Sequence, residues 1–179
     1  MGTKIVLNVS NVDLSDDPTI QLLAKHLDHL GWESISGQVT ATLYARSADV
    51  VGEAVGVADA IERHLPHASV VRVDEQLVAV SDIAARLGMT REGVRLWVQG
   101  KRRKADVPFP FPRGQVSHGN TVMKIWAWPD VLFWMRSQYQ IDPEVGVSYP
   151  SDRDVALLNA AIHGRARERK EWLPTSIPA

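Results

Sequence analysis

The sequence predicts an α+β protein. A small α/β sandwich fills residues 1–76, a segment of short helices and one strand fills 77–136, and a longer helix closes the chain. Three observations predict it. Strand-like and helix-like patterns alternate as β-α-β-α-β over residues 4–73, the order that sets helices against a small sheet. From Val80 the pattern changes to short helices and a proline-rich stretch. The charge changes sign at the same place. Residues 1–80 hold 5 Lys+Arg against 11 Asp+Glu, 81–136 hold 10 against 4, and 137–179 hold 5 against 6, within a net charge of −1. A basic middle beside an acidic first half implies two surfaces with different partners.

Each element has a local reason. KIVLNV, residues 4–9, is β-rich and reads as a strand. Asp16-Asp17-Pro18 opens a helix with proline in its first turn. Ile20, Leu23, Ala24, Leu27 and Leu30 follow at helical spacing, and Gly31 stands where the helix would stop. QVTATLYA, residues 38–45, alternates, with Val39, Ala41, Leu43 and Ala45 on one face. Ser47 or Asp49 caps a second helix whose stripe runs Val50, Val51, Ala54, Val55, Ala58, Ile61 and Leu65 before Pro66. Residues 69–73 form a third strand. Segment 32–35 can add a fourth, which would make the unit ferredoxin-like.

SDIAARLGMTREGVRLWVQGKRR, residues 81–103, carries the most information. Ser81 is the expected cap of a first short helix, with Ile83, Ala84 and Leu87 inward. Ala84 is small where a second helix crosses. Gly88 suits the left-handed residue that ends a helix. Thr90 caps the second helix, with Val94, Trp97 and Val98 inward. This register describes a helix-turn-helix. At about 100° per residue, Glu92, Arg95, Leu96 and Gln99 fall opposite the apolar side, and Arg91 lies at the flank. Arg, Glu and Gln can read guanine, cytosine and adenine edges in a major groove. The run Lys101-Arg102-Arg103-Lys104 follows at once and is placed to hold phosphates. A charge run alone is also what a solvated face looks like, and a helical hairpin can equally serve protein contacts.

Three prolines, Pro108, Pro110 and Pro112, favour extended backbone within 105–120. Residues 121–126, TVMKIW, read as a strand. Trp128-Pro129-Asp130 opens a helix with Val131, Leu132, Trp134 and Met135 as its stripe. Residues 137–150 read as a linker and 151–172 as a final helix, capped by Ser151 with stripe Val155, Leu158, Ala161 and Ile162. Pro174 and Pro178 mark a tail over 174–179. The expected division is thus 1–76, 77–136, a linker at 137–150, a helix at 151–173 and the tail.

IAARLGMTREGVRLWVQGKRR, then PFPFPRG, then MKIWAWPDVLFWM, together resemble the winged helix-turn-helix of MerR-type and phage excisionase-like DNA-binding proteins. The resemblance covers about residues 77–136. It implies that Thr90, Arg91, Glu92 and Arg95 lie in the major groove. It also implies that 113–120 forms a wing near the backbone or minor groove, carrying Arg113, Gln115, His118 and Asn120, with Lys124 on its strand. The chain lacks the long dimerising coiled coil of MerR activators and has an N-terminal unit that small excisionases lack. The implied function is sequence-specific binding of double-stranded DNA by a homodimeric transcriptional regulator, a repressor first. The alternatives are an architectural or recombination-directing protein, or an adaptor that binds a protein or ligand through 1–76.

Other features narrow the class. There is no cysteine, so thiolate nucleophiles and thiolate metal sites are excluded. No apolar run approaches the roughly 20 residues of a membrane span, and the first residues lack a signal-peptide core, so the expected location is cytoplasmic. No phosphate-cradling loop, nucleophile elbow or His-Glu-x-x-His is present, and the reading is non-enzymatic, without cofactor or metal. His26/His29 and His64/His67 could form a metal site if the pairs met in space. Their expected place is a solvated face. Trp97, Trp126, Trp128 and Trp134 are expected to fill a small core rather than to stack on bases.

Overall fold

The computed structural model describes residues 2–101, 106–119 and 121–171. Among them are six helices and two sheets, a mixed α+β architecture. The chain divides into two compact units, Met1–Asp74 with Gly146–Ala179, and Glu75–Val145.

The first unit begins β1(Gly2–Ser10), α1(Asp17–His26), β2(Gly31–Ile35), β3(Gln38–Ala45), α2(Val50–His64), β4(Ser69–Val73). The strands are ordered β2-β3-β1-β4 and these pairs are all antiparallel. This is the ferredoxin-like β-α-β-β-α-β topology, with 31–35 as the extra strand. Alternation puts Val39, Ala41, Leu43 and Ala45 of β3 in the core, paired with Val9, Leu7, Ile5 and Thr3 of β1. Ser36 (φ 51°) and Gly37 (φ 81°) close the β2–β3 hairpin. Two residues of positive φ match the twist of the strands they join. Asp16 and Asp49 cap α1 and α2, accepting from Thr19 N at 3.0 Å and Gly52 N at 2.8 Å.

One boundary differs from expectation. The first helix ends at His26, and Gly31 opens β2 instead of stopping the helix. Leu27 and Leu30 are buried, but they reach the core from the turn after the helix. A turn that folds inward mimics one more helical repeat in the pattern.

The second unit runs β5(Leu77–Val78), α3(Val80–Arg86), α4(Arg91–Val98), β6(Gly114–His118), β7(Thr121–Ala127), α5(Trp128–Tyr139). Its sheet is ordered β5-β7-β6, with antiparallel pairs. The short strand β5 was not expected from its two residues. Ser81 does not cap α3. Ala79 is the N-cap residue, and Asp82 reaches back to accept its N–H at 2.7 Å. Ser81 lies within the first turn. The turn from α3 to α4 uses Gly88 at φ 59°, and Met89 N–H returns to Ala84 O at 2.9 Å.

The chain then returns to the first unit. Val147–Ser148 forms β8, parallel to Gly2 and Thr3 of β1. The final helix α6(Asp152–Glu171) is capped by Ser151, whose Oγ accepts from Asp154 N at 3.2 Å while Asp154 accepts from Ser151 N at 3.2 Å. Leu158 and Ile162 are fully buried in the first unit's core. Asn159 accepts Val73 N–H at 2.8 Å, and Glu62 of α2 accepts Val70 N–H at 3.0 Å. Both protect strand β4 on its otherwise unpaired edge. Arg165 of α6 binds Asp59 and Glu62 of α2.

The expected linker and free-standing helix are therefore corrected. Residues 137–139 complete α5, and 147–148 pair in the sheet. Between them, Arg136 donates to Asp142 Oδ1 at 2.9 Å and to Glu144 O at 2.8 Å, and Trp128 Nε1 donates to Glu144 Oε1 at 3.1 Å. Polar composition made the stretch look like a linker, whereas its acids are partners of a buried tryptophan and an arginine.

Candidate nucleic-acid interface

Helix α4 is the centre of the site. Thr90 caps it, accepting Gly93 N–H at 3.1 Å. Val94 and Trp97 are buried beneath it. Arg91, Glu92, Arg95 and Gln99 are all exposed. Arg95 Nη1 lies 3.5 Å from Glu92 Oε2, one turn away, with both side chains more than half exposed. Such an exposed pair contributes little to stability, so either member can exchange it for another partner at small cost. Gln99 is the C-cap residue, and Gly100 follows at φ 66°. Lys101 is exposed, with its N–H on Leu96 O at 2.8 Å. Arg102, Arg103, Lys104 and Asn120 lie outside the described residues.

The β6–β7 hairpin holds a second group. Gln115 and Lys124 are cross-strand partners, and both are exposed. His118 ends β6, paired with Thr121. Arg113 is engaged differently from the free wing cation the sequence suggested. Its Nη2 and Nε lie 2.9 and 3.0 Å from Asp130 Oδ2 at the start of α5. Its N–H binds Ile125 O at 2.8 Å. Arg113 thus ties the base of the hairpin to a helix.

Below these groups lies an aromatic core. Trp97, Trp126, Trp128 and Trp134 are each at most 4 % exposed, as expected. Trp97 and Trp134 meet edge to face at 5.6 Å, and Phe109 meets Trp126 and Trp134 at 5.5 and 4.9 Å. Two indoles also fix the proline segment. Trp126 Nε1 donates to Pro110 O at 3.0 Å and Trp134 Nε1 to Val107 O at 2.9 Å. Proline brings no N–H, but its carbonyl still accepts. The alternation Pro108-Phe109-Pro110-Phe111 sends Phe109 inward and leaves Phe111 91 % exposed. The sequence signalled the tryptophans but not their polar ends. It also gave no sign of Arg86 stacking over Trp128, at 4.7 Å.

The histidine pairs meet only in part. His26 of α1 and His64 of α2 stack with ring centroids 4.2 Å apart and planes within 7°. Lone pairs of parallel rings run side by side and do not converge on one point. Both rings are half-buried, contrary to the solvated face expected for His26. His29 pairs instead with Asp28 at 3.8 Å. Among the described residues, no group of three or more His, Asp or Glu is arranged to hold a metal ion, and no helix is long and apolar enough to cross a membrane.

Compared with known proteins, the chain matches no family model, no curated protein and no solved structure.

Proposed function

We propose that Glu75–Val145 is a winged helix-turn-helix that binds double-stranded DNA sequence-specifically, and that the chain is a cytoplasmic, non-enzymatic transcriptional regulator, a repressor in the simplest case. In this reading α3 and α4 are the paired helices, α4 enters the major groove and the β6–β7 hairpin is the wing. One observation carries it: Arg91, Glu92, Arg95 and Gln99 are exposed on α4 while Val94 and Trp97 are buried beneath. A polar, exposed helix face on a rigid aromatic base can bring fork-shaped and amide side chains to base edges. Arg95 exchanges Glu92 for a guanine edge. Lys101 and the basic run after it supply sequence-independent phosphate contacts, and Gln115 and Lys124 extend them from the wing.

A short recognition helix has limited affinity, so the active form is a homodimer on half-sites ~34 Å apart. The unit's 10 Lys+Arg against 7 Asp+Glu give it a net charge of +3, and the first unit carries the compensating −4. Confining positive charge to one unit favours DNA there and leaves the acidic unit to protein contacts.

A second reading is architectural DNA binding of the excisionase type. It is favoured by three half-exposed apolar side chains on the hairpin, Val116, Val122 and Met123. Apolar side chains inserted from the minor groove bend DNA.

Both readings are tested by fluorescence anisotropy of the full chain with labelled duplexes over a range of salt. The expected result is binding that weakens linearly in log salt, since each neutralised phosphate releases counterions. No binding at low salt would reject both. Binding of every duplex alike, with bending detected by energy transfer, would select the architectural reading.

A further inference from the structure

Helix α1 packs only partly on the core of the first unit. None of the residues of α1 is fully buried. Leu22 and Leu23 pack only partly against the core, and Leu27 and Leu30 enter it from beyond the helix end. His26 of α1 also meets His64, ring on ring at 4.2 Å. Both imidazoles stand in the last turns of their helices, beside Lys25 and Arg63 respectively. A helix C-terminus favours one positive charge. It does not favour two cationic rings face to face in a half-buried contact.

We infer that the His26–His64 stack is an acid-sensitive latch that holds α1 against α2 when at most one ring is protonated, and releases it when both are. Burial opposes the charge of His26 first of all, and His64 from α2, when protonated, and Lys25 from its own turn oppose it further. These causes hold His26 below the ordinary histidine value of 6.5. The nearest carboxylate in sequence, Asp28, is engaged with His29. The unfolded chain therefore takes up protons more readily than the folded one. The latch is intact above pH 6.5 and is lost as pH falls through the depressed folded value.

Histidine ring resonances of the full chain, followed by NMR from pH 8 to pH 5, test the inference together with thermal unfolding of wild type, His64→Phe and His26→Phe. A phenyl ring keeps an aromatic face and removes one charge. The expected result is a His26 titration below the ordinary histidine value, and a fall in wild-type Tm on acidification that shrinks in either variant. In His64→Phe the remaining His26 should titrate higher than in wild type. A His26 titration at the ordinary histidine value would overturn the inference. So would an acid-induced Tm loss equal in wild type and in whichever variant folds. The wild-type titration decides the matter even if neither variant folds.

Discussion

Arg95 and Thr90 sit five residues apart at one short helix but do different work. Arg95 is exposed, and among the described residues it pairs with Glu92 at 3.5 Å. Its replacement by alanine should leave folding unchanged, cost about 1–3 kcal/mol of binding to a preferred duplex and relax the preference at one position. Lys101→Ala should weaken all duplexes alike and lower the salt slope by about one. Anisotropy titrations of both variants against several sequences separate the two; identical behaviour would refute the assignment of the α4 face. Thr90 acts on the fold, since its hydroxyl accepts Gly93 N–H. Thr90→Ala should destabilise the chain by about 1 kcal/mol, read by denaturant unfolding. The Thr90 cap and the exposure of Arg95 were legible because caps and helix faces depend on neighbours in sequence. The ion pair of Arg113 was not legible because its partner, Asp130, is 17 residues away. Nothing in the local pattern marks an arginine as already engaged. His26 was misjudged for the same reason, since its partner lies on another helix.

Among the elements, the sequence pattern identified β1, β3, α2, β4, α4 and β7, and for β3, α2 and α4 their inward faces as well. Those segments have enough alternating or helical repeats for one face to be unambiguous. The two-residue strands β5 and β8 have no repeat to detect, and they exist only through pairing with β7 and β1. The stripe of α6 was clear, but its destination was not. A stripe says that a face is buried and not against what. That destination carries a prediction. Leu158 is fully buried in the core of β1, β3 and α2. Leu158→Ala should therefore destabilise the first unit by about 2–5 kcal/mol in denaturant unfolding. If α6 were an independent appendage, the core's unfolding midpoint would not move.

At the scale of the whole molecule, two compact units differ in charge. The unit carrying α4 has a net charge of +3 and the one built on the five-stranded sheet −4. The division was visible as a change of sign along the chain, although the return of the C-terminal segment to the first unit was not. The central claim is that the basic unit reads DNA sequence. Selection of bound duplexes from a random pool by the full chain, at two salt concentrations, tests it most directly. The account predicts a recovered motif that persists at the higher salt, an inverted repeat with half-sites about one helical turn apart. A pool that stays random while binding falls steeply with salt would contradict sequence recognition, and the absence of any bound DNA at low salt would contradict the DNA interface altogether.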